Sequence, residues 1–93
     1  MVTLPSILTH ALAAKFAVGL KQAVQSEPAE VTVDANALKQ FDSSALAVLL
    51  ECRRQALAAD KVFSVQGAPA RLLELAGLYG VAALIPSTPA VAV

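Results

Sequence analysis

The chain has little of what catalysis, cross-linking or nucleic-acid binding requires: one histidine, one cysteine and no surplus of charge. His10 stands alone beside the expected start of a helix, where a surface or capping role fits better than a catalytic one. Cys52 has no second cysteine to pair with. At an apolar helix position, with no histidine nearby in sequence, it reads as a buried, inert thiol suited to a reducing cytoplasm. Seven basic residues balance seven acidic ones, so no electrostatic case exists for nucleic acid or an anionic membrane surface. The pair Arg53 and Arg54 is too short to be a nucleic-acid patch.

The acids Glu27, Glu30, Asp34, Asp42, Glu51, Asp60 and Glu74 show no metal-ligand spacing, and no G-x-x-x-x-G-K-[ST] phosphate loop occurs. Neither a metal nor a cofactor is expected, and the chain does not read as an enzyme. Long apolar runs are also missing. "ALAVLL" and "VAALI" fall far short of the roughly 20 residues that cross a bilayer. "MVTLPSILTH" has neither a basic start nor a long apolar core, so no export leader is expected.

What is abundant is apolar residues, at 57% of 93, more than the usual share of a soluble domain. A single small domain cannot hide so much. Part of this surface is therefore expected to be covered by a partner, although the many alanines soften the point. One domain over residues 1–93 is expected, with "STPAVAV" (87–93) as a weakly ordered tail.

Alternating β-branched residues predict strands at "MVTL", at Glu30–Asp34 and at "KVFSVQG". Helical spacing predicts a helix from a Thr9 N-cap to about Gln25, with Leu12, Phe16, Leu20, Ala23 and Val24 on one face. A second helix is predicted from the "DSS" stretch to near Ala59, and a third over about Ala70–Tyr79 behind Pro69. "VAALIP" reads as a short strand or a turn. The order strand, helix, strand, helix, strand, helix implies parallel crossovers. The fold class is thus α/β, a small, largely parallel sheet covered by about three helices.

The most informative stretch is "FDSSALAVLLECRRQA", Phe41–Ala56. At 100° per residue, Leu46, Leu50 and Leu57 form one stripe and Ala45, Leu49, Cys52 and Ala56 a second. Such a helix has more to cover than one sheet face needs. Either a neighbouring helix takes the second stripe, or the start of the helix, including Ala47 and Val48, meets another protein. Asp42 or Ser43 can cap the first turn. A phosphate on Ser43 would also be received well at a helix N-terminus. Tyr79 reads as either a polar-tipped core residue or an interface anchor.

Over essentially its full length the chain resembles the STAS domain, the fold of anti-sigma-factor antagonists. "VTVDANALKQFDSSALAVLLECRRQA" is similar to that family's strand, turn and second helix, with "FDSSALAVLL" at its D-S-[ST]-G-L-like motif. "LPSILTHALA" and "VFSVQGAPARLLELAGLYGV" resemble the flanking strand–helix units. Ala45 stands where the motif has Gly, and Ser6 where a Gly often follows the first strand.

The short "MVTL" and the ending "AGLYGVAALIP" are closest to the MlaB-type subgroup, subunits of a phospholipid-trafficking ABC transporter. That resemblance implies a non-catalytic regulatory or assembly subunit. It would dock on a cytoplasmic MlaF-type ATPase and, through it, on a permease, and so lie peripheral to the inner membrane without inserting. The implied partner-binding residues are Asp42, Ser43, Ser44, Ala45, Ala47, Val48, Glu51 and Tyr79. The alternative is an antagonist whose partner is an anti-sigma kinase that phosphorylates Ser43.

Overall fold

The computed structural model describes residues 1–88. Strands β1 (Val2–Thr3) and β2 (Ile7–Leu8) lead into helices α1 (His10–Val18) and α2 (Leu20–Gln25). Strands β3 (Glu30–Asp34) and β4 (Gln40–Phe41) precede helix α3 (Ser43–Ala58). Then come strand β5 (Val62–Gln66), helix α4 (Ala70–Leu78), a 3₁₀ turn at Ala82–Leu84 and strand β6 (Ser87–Thr88). The main sheet runs β1-β3-β5-β6, and every pairing in it is parallel.

Period-two alternation places this sheet. Val31 and Val33 of β3 and Phe63 and Val65 of β5 are buried, while Thr32, Asp34, Ser64 and Gln66 are only half-buried. The buried face carries α3, which also packs against α1, α2 and α4. Leu8, Val24, Leu49, Cys52, Leu72 and Ala76 close the core, each at most 2% exposed. The second apolar stripe of α3, Ala45, Leu49, Cys52 and Ala56, is wholly buried within the domain. The first stripe is less covered: Leu46 is buried, but Leu57 is 52% exposed.

Three local features differ from the sequence reading. The expected helix over Thr9–Gln25 is divided at Gly19, whose backbone (φ −92°, ψ 0°) ends α1 and opens α2. Glycine is the weakest ordinary helix former, so the break falls where continuing the helix gains least. The break changes the buried face: Ala13 is buried and Leu12 is exposed. "VAALIP" agrees with the turn of its two readings, forming the 3₁₀ turn with Ile85 buried behind it. Ser87 and Thr88 are not tail but strand, paired with Val65 and Gln66; residues 89–93 lie outside the described residues.

The third difference matters most for function. Two-residue strands β2 and β4 form a separate parallel pair, Ile7 opposite Gln40 and Leu8 opposite Phe41. The Ser6 carbonyl extends it by accepting from the Lys39 and Gln40 amides at 2.8 and 3.0 Å. Because the pair is parallel and in register, the chain leaves β2 into α1 and β4 into α3 side by side. The starts of two helices, with their unpaired N–H groups, are brought to one place.

Candidate functional site: the start of helix α3

Asp42 is the N-cap of α3, with extended backbone (φ −129°, ψ −165°). One carboxylate oxygen, Oδ1, accepts the Ser44 amide at 2.8 Å. The other, Oδ2, accepts the His10 amide at 3.0 Å, from the first residue of α1. These two backbone donors, Ser44 first and then His10, hold the Asp42 carboxyl below the usual carboxylate value. Thr9 is the N-cap of α1, as expected, but makes no side-chain cap bond; Asp42 supplies a side-chain acceptor to the first turn of α1 from across the parallel pair. The His10 ring completes the link, with Nδ1 3.3 Å from the Ser44 hydroxyl.

Ser43 is exposed on the first turn of α3, between two engaged neighbours. It borders two shallow grooves. One is walled by Leu46, Ala47, Leu50, Tyr79 and Val81. The other has Phe41, Leu75 and Leu78 as apolar lining, with Arg71 and Glu74 beside them. Tyr79, 60% exposed, and Leu78, 84% exposed, form the far wall of this region. Tyr79 is thus a surface residue, and its core alternative does not hold. A third groove lies on the opposite flank of α3, between it and α1, lined by His10, Ala13, Ala14, Ala17, Ser44, Ala47, Val48 and Glu51. Ala47, exposed, is the ridge between the flanks.

The structure therefore gathers Ser43, Ala47 and Tyr79 on one surface, with Ser44 and Glu51 around the ridge. Two expected contact residues are not available to a partner. Ala45 is fully buried and Val48 is 4% exposed, because both pack into the core. Ala45, where the motif has Gly, fits without strain because the position is ordinary helix in the first turn. Asp42 is exposed, but both its oxygens are committed to backbone donors. Glu51 is also engaged: Arg54 binds it through Nε at 2.9 Å and Nη2 at 2.5 Å, and Gln55 Nε2 at 3.0 Å. These bonds, Arg54 foremost, lower its carboxyl to about 2. Sequence reasoning missed Leu50, Leu78 and Val81, of which only Leu50 carried a local signal, through its place on the apolar stripe; His10 it read as a surface or capping residue, without its link to Asp42 and Ser44.

Elsewhere the chemistry is quiet. The Cys52 thiol is pushed up to about 11, first by burial and then by the charge of Glu27, which disfavours the reactive thiolate. Among the described residues no three His, Cys, Asp or Glu side chains gather as a metal site, and no helix is long and apolar enough to cross a membrane.

A parallel sheet backed by a central helix, whose exposed start carries an uncommitted serine among apolar grooves, defines an STAS-type protein-interaction domain. The family model described as "Mlab, STAS domain" matches residues 1–86. The chain belongs to that family, whose domains are in general non-catalytic interaction modules. No curated protein matches the chain significantly.

Proposed function

We propose that this chain is a non-catalytic regulatory and assembly subunit that binds the cytoplasmic ATPase of a phospholipid-trafficking ABC transporter through the start of α3. It would sit peripheral to the inner membrane, reaching the permease through the ATPase. The observation that supports this is the joint exposure of Ser43, Ala47 and Tyr79, with half-buried Leu50, around two adjoining grooves, a surface with the aromatic anchor and apolar centre that protein contacts favour. Membership of the family described as Mlab supports the choice of this partner class. The subunit acts by linkage: binding only the competent ATPase conformation stabilises that conformation in proportion to its differential affinity.

The same exposed hydroxyl favours a second reading, in which an anti-sigma kinase phosphorylates Ser43 to switch partners. Two purified candidates separate them. A transporter ATPase that forms a complex with wild type and loses it with Ser43→Glu supports the first. A small kinase that transfers phosphate to wild type but not to Ser43→Ala, with no ATPase complex, replaces it with the second.

A further inference from the structure

Asp42 fell among the expected partner contacts, yet both its carboxylate oxygens are taken up within the chain. Its two oxygens serve two different helices: Oδ1 holds the Ser44 amide of α3 and Oδ2 the His10 amide of α1, 32 residues away in sequence. The His10 ring returns to the Ser44 hydroxyl, so the link is made at both the backbone and the side-chain level. Below it, an open groove between α1 and α3 is lined largely by small side chains, Ala13, Ala14, Ala17, Ala47 and Val48. The β2–β4 pair brings the two helix starts together, and the Asp42 carboxylate adds a direct side-chain tie between their first turns, beside this groove.

We propose that Asp42 is a positioning residue for the partner contact: it clamps the start of α1 to the start of α3 and so fixes how Ser43 and Ala47 are presented, without touching the partner itself. This rests on the transporter reading given above. His10 is the second half of the clamp, contributing its amide to Asp42 and its ring to Ser44. Ser43 lies just outside the clamp and stays free for the partner. A carboxylate suits this role because it offers two acceptor oxygens and is favoured at helix N-termini; an amide has only one oxygen to give.

The test measures amide hydrogen exchange of the isolated chain and its affinity for the purified transporter ATPase, in wild type, Asp42→Asn, Asp42→Ala, His10→Ala and Lys61→Met. In Asp42→Ala the His10 and Ser44 amides should both lose protection while those of Leu49 and Val65 keep theirs. In Asp42→Asn one of the two should be retained. Affinity should fall about tenfold or more in Asp42→Ala, as when charge-assisted hydrogen bonds are lost. His10→Ala keeps its backbone donor and should lose only about two- to threefold, the size of one weak hydrogen bond. Lys61→Met, remote from the contact, should lower stability without lowering affinity.

An Asp42→Ala chain that binds as tightly as wild type overturns the positioning role, as does an affinity loss no greater than that of Lys61→Met at equal stability. Unchanged His10 protection in Asp42→Ala removes the clamp itself. An ATPase that does not bind wild type overturns the transporter reading and the positioning role with it, and the exchange data then still decide whether the clamp exists.

Discussion

Ser43 and Tyr79 stand across the same groove, one on the first turn of α3 and the other at the end of α4. The core brings them together: α3 packs against α4, and buried Leu46 and Leu49 share one core with Leu72 and Ala76, which sets the span between the serine and the ring. A partner that covers one side chain meets the other.

Tyr79→Ala should therefore weaken the ATPase complex by about 1–2 kcal/mol, the size of an aromatic anchor at an interface edge. Because the ring is 60% exposed, the isolated domain should lose less than about 0.5 kcal/mol. Titration calorimetry and urea unfolding of the same variant measure the two. Unchanged affinity would exclude Tyr79 from the contact.

Lys61 secures the far end of the domain. Its ammonium donates to the carbonyls of Val24, Gln25 and Glu27 at 2.9, 3.1 and 2.5 Å, satisfying the last turn of α2 and the loop beyond. Lys61→Met should cost about 1–3 kcal/mol, read as a lower urea midpoint. A midpoint equal to wild type would mean that water replaces the ammonium at no cost.

Gly67 has φ +71°, and a Cβ there would overlap the Asn36 side chain. Asn36 cannot easily yield, since its amide Nδ2 and its backbone N–H both bond to Asp34 Oδ1 at 2.7 and 2.9 Å. Gly67→Ala should destabilise by at least about 1 kcal/mol from backbone strain alone, with the overlap added. The same substitution should cost less in an Asn36→Ala background. Equal costs in both backgrounds would show that the overlap is relieved elsewhere.

Much of the scaffold was legible because its signals are local. β3 and β5 alternate cleanly between turn signals, and α3 and α4 begin at an Asp cap and behind a proline, so their limits agree with the sequence to within a residue or two. The β2–β4 pair was not legible: two residues on each strand carry no period, and their partners are distant in the chain. The site followed the same rule. The exposed serine could be seen in "FDSS", whereas the Asp42–His10 bond depends on that hidden pair. The burial of Ala45 and Val48 depends on which faces of α3 pack into the core. Tyr79 joined the site through the packing of α4.

Acid should weaken the fold in a defined window. Asp34, Asp42 and Glu51 all have carboxyls lowered by hydrogen bonds in the folded chain, Glu51 to about 2. Groups with depressed folded values contribute stability that is full above the unfolded values near pH 4 and is lost as pH falls through the folded ones. Urea midpoints should thus fall from about pH 4 toward pH 2, with a shallower fall in Glu51→Gln. All three groups are solvated, so the effect should be modest and shrink in salt. A midpoint flat to pH 2 would contradict the assignment.

The central claim is that Ser43 lies within the ATPase contact. The direct measurement is the affinity of the purified ATPase for wild type, Ser43→Ala and Ser43→Glu, with unfolding curves for each chain. The account predicts that Ser43→Glu binds about tenfold or more weakly, because a charge desolvated in a close contact without a partner costs more than it gains. Its stability should stay within about 0.5 kcal/mol of wild type, since the side chain is exposed and an acid is tolerated at a helix start. Ser43→Ala should bind close to wild type. A Ser43→Glu chain that binds as tightly as wild type would contradict the account and place the ATPase elsewhere on the domain.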